Sequence, residues 1–265
     1  MKKISCSVVV PVFNPDLKVF EVMLGSLVKQ TYQSFEVILV DDSDKIDVTK
    51  IIEKFPNLSI KHIKNSQKLG LTKSLNYGIS LSRQEFIARA DCDDFYREDR
   101  LEKQISFLKE NSMYDLCGTS CVTVDFQGNH THKRIIPNSN TEIKRQLHFW
   151  VPIVHSSVMF RNSFFKKYGT YSENYDCEDY ELWFRAKKLG CKFHNLKQEL
   201  TFLRIDRTSE DSRGRHWRQM LELKIKYFDF SFLFTSVSGI LFRFLMSYFP
   251  RFLSSFIYNI FSKYR

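Results

Sequence analysis

The sequence predicts an α/β fold built on a mostly parallel β-sheet. Apolar, β-branched runs alternate with segments in which apolar residues recur at helical spacing, and residues 7–13 are apolar enough for a strand buried on both faces. The resulting β-α-β-α-β-α-β order implies right-handed crossovers and places ligands at the carboxyl ends of the strands. With 265 residues, the chain can form one large α/β domain or two small ones.

The first half of the chain is more regular than the second. Its predicted strands are residues 7–13, 35–40, 58–63 and 86–90, and its predicted helices are residues 17–28, 48–55, 71–81 and 101–108. In the second half, the predicted strands are residues 116–126, 132–136, 158–160 and 191–196, with a helix at 178–189. The pattern therefore indicates a mixed layer added to a parallel one.

Composition narrows the class of protein. The chain is 43% hydrophobic and 26% charged, as expected for a globular protein, and its net charge of +10 favours nucleic acid, anionic lipid or phosphorylated small molecules as partners. Its six cysteines form no C-x-x-C pair and no zinc spacing, which favours reduced thiols in a cytosolic protein. The short apolar run after Lys3 lacks a cleavage site and predicts a first strand, so we expect a cytoplasmic protein.

Three carboxylates, Asp91, Asp93 and Asp94, follow the predicted strand at residues 86–90. Because they repel one another, they need either full solvation, as in an ordinary acidic turn, or a divalent cation that carboxylate and substrate phosphate oxygens would hold. The position at a strand end, with similar motifs upstream, favours the cation.

Five segments in order resemble the motifs of family 2 glycosyltransferases, which have the GT-A fold, a Rossmann-like mixed, mostly parallel sheet flanked by helices. The segments are residues 7–14, 35–43, 65–78, 88–94 and 155–161 with 177–179. The resemblance covers about residues 4–212 and implies a catalytic domain at 1–212, with a nucleotide-sugar half at 1–100 and an acceptor half at 101–212.

The resemblance implies a UDP-sugar donor and Mn²⁺ or Mg²⁺ as the cofactor. Asp41 would accept the N3 hydrogen of uracil, although a helix-capping role is the alternative. Asp91 would contact the ribose and the metal, and Asp93 the metal itself. The uracil ring would rest on Pro11, Val12 and Phe13.

On the acceptor side, the resemblance makes Asp179 the general base. One carboxylate suffices for an inverting displacement, whereas retention by double displacement needs a second nucleophile. The alternative is that Glu178 and Asp179 only cap a helix. Glu178 and His155 are candidate acceptor-side residues, and Asp206 stands where many family members carry a histidine that could assist the metal.

The tail, residues 213–265, is basic and rich in phenylalanine. Its nine Lys and Arg outnumber its acids, Glu222 and Asp229, but no nucleic-acid fold signature accompanies them, so we expect no nucleic-acid partner. Its longest uncharged stretch, residues 230–242, has 13 residues, fewer than a membrane-crossing helix needs. We expect a helical, monotopic anchor on an anionic membrane, with a helical cap on the catalytic domain as the alternative. All of the catalytic motifs precede Arg213.

The resemblance therefore implies non-processive, inverting transfer of a hexose or N-acetylhexosamine to a lipid-linked, polyprenyl diphosphate saccharide. The setting would be O-antigen or capsule synthesis at the cytoplasmic face of the cell membrane, and the Gln-x-x-Arg-Trp signature of processive synthases is missing. A nucleotidyltransferase is one alternative, but it would need a glycine-rich phosphate loop, and residues 11–16 contain no glycine. A non-catalytic sugar-binding or scaffold protein is the other alternative.

Overall fold

The computed structural model describes residues 5–204 and 213–248. The strands are β1 (Cys6–Val12), β2 (Phe35–Asp41), β3 (Ile60–Lys64), β4 (Phe86–Arg89), β5 (Phe95–Tyr96), β6 (Leu116–Val124), β7 (His130–Arg134), β8 (Met159–Arg161) and β9 (Phe193–Arg204). The helices are α1 (Leu17–Val28), α2 (Thr49–Ile52), α3 (Leu71–Leu81), α4 (Arg100–Glu110), α5 (Asn140–Leu147), α6 (Ser163–Tyr168), α7 (Glu178–Lys188), α8 (Arg213–Lys226) and α9 (Leu233–Tyr248). Within these residues, the strands form one sheet in the order β3-β2-β1-β4-β8-β6-β9-β5, and β7 pairs with β6.

The first four strands form the predicted parallel layer. β1 pairs in parallel with β2 on one side and β4 on the other, with Val12 opposite Asp41 and Val9 opposite Arg89. The chain therefore moves outward from β1 to β3 and then returns to the other side of β1 at β4. Ligands bind outside the carboxyl ends of strands at such a reversal point. Residues 11–13 and 91–94 lie at the ends of these two strands.

The second half is mixed, as the sequence predicts. β8 is antiparallel to both β4 and β6, whereas β9 is parallel to β6. The prediction of a strand at residues 191–196 is too short, because β9 continues to Arg204 and also pairs with β5. The short elements β5, α5 and α6 were not predicted, and α2 has only four residues.

Two apolar clusters cover the two faces of the sheet. Phe20 of α1 and Ile105 of α4 belong to one cluster, and Leu75 of α3, Phe164 of α6 and Trp183 of α7 belong to the other. Trp183 is completely buried. The packing of α7 therefore fixes its first turn, where the proposed base lies, relative to the sheet.

The described part of the tail packs on this domain. Met220 and Leu223 of α8 join the apolar cluster that surrounds α7. Beyond α8, Lys187 of α7 forms an ion pair with Asp229, with 2.7 Å between Nζ and Oδ2. These contacts agree with the alternative of a helical cap, and the division of the chain at residue 212 stays a prediction.

A close backbone approach holds α9 in place. A Cβ atom at Gly239 would lie 1.9 Å from the carbonyl oxygen of His148, so the helix can approach this loop only because the residue is glycine. The same carbonyl accepts a hydrogen bond from the buried Lys224 of α8. The loop at His148 thus contacts both helices of the tail.

The segment Phe230–Tyr248 meets length and composition criteria for a membrane-crossing helix. It has 19 residues, its most apolar window has a mean hydropathy of 1.5, and 28% of that window is buried in the protein. One such helix is weak evidence for a span, because a core helix of a soluble protein can have the same composition. The sequence expectation considered only the uncharged stretch at 230–242 and stopped at Arg243.

We expect Gly239→Ala to lower the melting temperature and to weaken acceptor use, because the new methyl group forces α9 away from His148. Overpacking of this kind costs about 1–3 kcal/mol. Gly25→Ala in α1 is the matched control, since a Cβ there meets nothing within 4 Å. Thermal unfolding of the two variants checks the prediction, and equal melting temperatures would contradict the close packing of α9.

Candidate active site

The residues that follow β1 and β2 lie side by side. The backbone N–H of Asp42 donates to the carbonyl of Val12 at 2.8 Å. Pro11 and Val12 are buried, whereas Phe13 is 44% exposed and has the Lys68 ammonium 3.9 Å from its ring centroid. An exposed aromatic ring beside buried apolar residues can provide a flat seat for a planar base.

Asp41 is held by a set of donors. Its Oδ1 accepts the backbone N–H of Ser43 at 2.9 Å, and its Oδ2 lies 3.1 Å from Lys64 Nζ and 3.2 Å from His62 Nε2. Burial alone would raise the pKa of Asp41, but the hydrogen bonds from Ser43, Lys64 and His62 outweigh burial and keep the pKa below its usual value. Asp41 is therefore an ionised acceptor in the wall of a cavity of about 350 Å³. Sequence reasoning did not identify His62 or Lys64, which β3 places opposite β2.

Asp42 organises the loop that precedes α3. Its carboxylate accepts the backbone N–H groups of Leu69 and Gly70 at 2.7 and 2.8 Å, and the side chain of Asn65 at 3.0 Å. Gly70 has φ of +84°, a conformation that glycine adopts without steric cost. The two adjacent aspartates after β2 thus have different environments: Asp41 lines a cavity, and Asp42 shapes a turn.

The acidic residues after β4 also differ from one another. Asp91 forms an ion pair with Arg89, and its backbone N–H donates to the Tyr96 hydroxyl at 2.8 Å. Desolvation by the surrounding protein, and then the nearby Asp91 charge, raise the pKa of Asp93. A positive charge placed near Asp93 would therefore favour its ionised form.

Asp94 stabilises the local structure by a hydrogen bond to β9. It is buried, and its Oδ1 accepts the backbone N–H of Arg204 at 2.8 Å. The Nε of Arg204 donates to the carbonyl of Asp93 at 3.0 Å. The end of β9 is thereby tied to the acidic segment after β4, and burial raises the pKa of Asp94 well above its usual value.

Glu178 and Asp179 form the first turn of α7. Burial raises the pKa of Asp179, although the Tyr180 backbone N–H, 2.7 Å from Oδ1, and the nearby His216 act in the opposite direction. Burial, and then the Asp179 charge, raise the pKa of Glu178 to about 7. A carboxylate whose pKa is raised in this way is a stronger proton acceptor than an exposed one.

His155 lies behind this pair. Its Nδ1 is 3.7 Å from Glu178 Oε1, and its Nε2 is 2.8 Å from the Tyr171 hydroxyl. Burial, and then the charge of Arg89, lower the pKa of His155 well below its ordinary value. His155 is therefore neutral at neutral pH, shares a hydrogen bond with the Tyr171 hydroxyl and lies close to Glu178.

A cavity of about 380 Å³ brings Asp91, His155 and Asp179 together. The residues that line it are Arg89, Asp91, Arg134, Trp150, Val151, Ile153, Val154, His155, Ser156, Asp179, Leu203, His216, Trp217, Met220 and Arg243. Its size lies in the range of ligand-binding pockets. A residue from the end of β4 and one from the start of α7, 88 positions apart in the sequence, thus face the same space.

Several cavity residues were not predicted. Arg134 and Trp150 come from segments without a motif, and His216, Trp217 and Arg243 come from α8 and α9, although we expected the site to end before Arg213. For His216 and Trp217, the available signal was the composition of residues 215–219. Asp206, the candidate replacement for a metal-assisting histidine, lies outside the described residues.

Comparison with known proteins identifies the family. Glycosyl transferase family 2 matches residues 7–169. The chain belongs to this family. It is 31% identical over 214 residues to the amylovoran biosynthesis glycosyltransferase AmsE of Erwinia amylovora, with 80% of each chain covered. It is 28% identical to the UDP-Gal:alpha-D-GlcNAc-diphosphoundecaprenol beta-1,3-galactosyltransferase of Escherichia coli, with 83% of this chain and 82% of the relative covered.

Solved structures support the GT-A fold of this family 2 glycosyltransferase. S. aureus TarS in complex with UDP-GlcNAc has a TM-score of 0.72 at 20% identity, covering 91% of this chain and 72% of that one. The mannosyltransferase PcManGT from Pyrobaculum calidifontis, in complex with GDP-Man and Mn²⁺, has a TM-score of 0.65 at 14% identity, covering 98% and 80%. At these identities, the likeness extends to the fold alone.

We expect the activity of this glycosyltransferase to fall on acidification, because burial raises the pKa of Asp179, the predicted general base. Once Asp179 takes up a proton, it cannot accept another from an acceptor hydroxyl. Glu178→Gln removes the neighbouring negative charge, so the acid limb of the kcat/KM profile should move to lower pH. Identical acid limbs for both proteins would assign this pH dependence to another group.

Proposed function

We propose that this enzyme transfers a single hexose or N-acetylhexosamine, with inversion, from a UDP-sugar to a lipid-linked saccharide during synthesis of a bacterial surface polysaccharide. The observation that carries the proposal is the cavity that contains both Asp91 and Asp179. Asp91 follows the strand beside the nucleotide-binding edge, and Asp179 begins a helix of the second half. A donor and an acceptor could meet between them.

The donor assignment rests on the edge formed by β1 and β2. The ionised carboxylate of Asp41 is suited to accept an N–H from a pyrimidine base, and the Phe13 ring and the buried Pro11 and Val12 offer it an apolar seat. The Escherichia coli relative, which is named for transfer from UDP-Gal, supports a UDP-sugar as the donor.

Asp91 and Asp93 fit a divalent metal ion that is shared with a substrate. Among residues 5–204 and 213–248, no group of three or more His, Cys, Asp or Glu side chains is arranged to hold an ion. Two carboxylates suit Mg²⁺ or Mn²⁺ when the remaining ligands are diphosphate oxygens and water. Burial, and then the Asp91 charge, raise the pKa of Asp93, and a bound cation would offset both effects. When bound, such an ion would neutralise charge that develops on the departing UDP.

Asp179 is suited to the role of general base. It lines the cavity, its pKa is raised, and the packing of Trp183 fixes the first turn of its helix. It would accept the proton of the acceptor hydroxyl as that oxygen attacks the anomeric carbon and UDP leaves from the opposite face. Glu178 does not line the cavity and lies 3.7 Å from His155 instead, and the other cavity carboxylate, Asp91, is paired with Arg89. Asp179 is therefore the better candidate for the base, and one such carboxylate suffices for an inverting displacement.

The relatives support the lipid-linked acceptor. AmsE is named for amylovoran biosynthesis, and the Escherichia coli relative is named for transfer to a sugar on diphosphoundecaprenol. Membership of the family favours sugar transfer over the nucleotidyltransferase and the scaffold protein that the sequence left open.

An exposed apolar stripe on α9 supports association with the membrane. Large apolar side chains recur along its outer face and are exposed: Leu233, Phe234, Val237, Leu241, Phe244, Leu245 and Tyr248. Phe230, in the turn just before α9, is exposed as well. The opposite face, with Gly239, Phe242 and Met246, packs on the protein. Such a helix can lie in the plane of a bilayer surface, at the cytoplasmic face where UDP-sugars and polyprenyl acceptors would meet.

A screen of UDP-sugars with diphospho-lipid monosaccharides as acceptors tests this function. We expect UDP release that depends on the acceptor and stops in excess chelator, with inversion at the anomeric carbon of the product. Asp179→Asn should retain UDP binding and lower kcat by about 10²–10⁴-fold, since only proton transfer is lost.

Asp176→Asn is the matched control for Asp179→Asn, because Asp176 lies three positions away, is exposed and forms an ion pair with Arg215 outside the cavity lining. Near-normal kcat in a folded Asp179→Asn protein would limit Asp179 to a structural role. Undiminished turnover in excess chelator would show that the reaction does not depend on a metal ion.

We expect the double variant Phe230→Ser/Phe234→Ser to bind less to anionic vesicles, because these side chains, in the turn before α9 and in its first turn, are 82% and 85% exposed. The control is Met113→Ser/Leu189→Ser, which removes two exposed apolar side chains elsewhere, at 62% and 54% exposure. Flotation of full-length proteins with vesicles measures the difference. Point variants are preferable to removal of the tail, since α8 and α9 line the cavity. Equal flotation of both variants would exclude α9 as the membrane contact.

A further inference from the structure

Two arginines from distant parts of the chain lie in one wall of the cavity. Arg134 ends β7 and donates from Nη2 to the carbonyl of Val151 at 3.0 Å. Arg243 of α9 is 4% exposed, and its guanidinium carbon lies 5.3 Å from the ring centroid of Trp150. Because Trp150 and Val151 are adjacent, the two cationic groups are held by consecutive residues of one loop.

The part of the cavity lining that carries Arg134 and Arg243 is positively charged, whereas Asp91 and Asp179 contribute negative charge. Arg89, the third arginine of the cavity, is paired with Asp91. Arg134, by contrast, is not within ion-pair distance of any carboxylate in residues 5–204 and 213–248. Two guanidinium groups that line one cavity and are held by adjacent loop residues favour an anionic ligand there, because the planar guanidinium matches the oxygens of a phosphate group.

We propose that Arg134 and Arg243 bind the diphosphate of the lipid-linked acceptor. This assignment rests on the proposed function, because it takes the acceptor to be a polyprenyl diphosphate saccharide. With the diphosphate on this wall, the acceptor sugar would extend into the cavity towards Asp179.

The position of Arg243 favours the acceptor diphosphate over that of the donor. Its neighbours Leu241 and Phe244 belong to the exposed apolar stripe of α9, whereas Arg243 faces the cavity. If the outer face of α9 lies on the bilayer, a polyprenyl chain attached to a diphosphate at Arg243 would have to pass only around α9 to reach the lipid. The donor diphosphate, in contrast, is expected beside Asp91 and Asp93, at the end of β4.

Farnesyl diphosphate and UDP serve as probes that separate the two diphosphates. We expect Arg134→Gln and Arg243→Gln each to weaken farnesyl diphosphate binding by about tenfold or more, since each removes charge-assisted hydrogen bonds, and to leave the Kd for UDP unchanged. Arg145→Gln, which removes the same charge from an exposed position on α5, is the control and should change neither Kd. Titration calorimetry of the full-length proteins provides the values.

Two results would overturn the proposal. Unchanged farnesyl diphosphate binding in Arg134→Gln would remove the subsite, and equal weakening of UDP and farnesyl diphosphate would assign the arginines to the donor. Arg243 is buried, so Arg243→Lys provides a milder variant that keeps the charge and should retain more farnesyl diphosphate affinity than Arg243→Gln. Arg134, which is only partly buried, keeps the test valid if Arg243→Gln does not fold.

The subsite and the proposed function can fail separately. Efficient transfer to a diphospho-lipid acceptor that neither substitution weakens would retain the function and reject the subsite. Farnesyl diphosphate binding that depends on both arginines, in a protein that transfers no sugar to any diphospho-lipid, would retain the subsite and reject the function.

Discussion

The parallel pairing of β1 with both β2 and β4 is the constraint on which the site depends. Because β1 lies between them in register, the residues that follow all three strands emerge at one edge of the sheet. Asp41 and Asp91 are 50 positions apart in the sequence, yet this register brings their strand ends to the same edge. A shift of one residue in β4 would turn its side chains to the other face of the sheet and move Arg89 away from the cavity.

The carboxylates around this edge fall into two electrostatic groups. Asp41 and Asp91 have basic partners, Lys64 and Arg89, within the protein. Burial raises the pKa values of Asp93, Glu178 and Asp179, and a neighbouring negative charge adds to this effect at Asp93 and Glu178. The carboxylates of the first group are already neutralised by ion pairs within the protein. Those of the second group are not, and a bound cation or a proton taken up from a substrate could neutralise them. The raised pKa values of the second group are the electrostatic basis for the proposals that a cation binds beside Asp93 and that Asp179 accepts a proton.

The sequence was sufficient to predict those elements and motifs that depend on neighbouring residues in the chain. The helix predicted at residues 71–81 is the observed α3, since a helical apolar period and a glycine before it define its bounds. The acidic segment and the Glu178-Asp179 pair are also short motifs, and both occur where a strand ends or a helix begins. The sequence was insufficient where position depends on distant pairing. β9 runs to Arg204 because β6 and β5 pair with it, and Arg134 and Arg243 enter the cavity through the packing of the loop at 148–151, which no local pattern encodes.

The two faces of α9 would link the proposed membrane contact to the cavity. The inner face requires glycine at position 239 to approach His148, and it brings Arg243 to the cavity, while the outer face exposes Phe234 and Phe244. A helix that only anchored the protein would have no need of such a close backbone contact, and a helix that only capped the domain would not expose large aromatic side chains over its whole length. Because one rigid element has both properties, insertion of its outer face into a bilayer would orient the cavity relative to the membrane surface. The acceptor would then reach Asp179 with its lipid still in the bilayer, which avoids the large cost of transferring a polyprenyl chain into water.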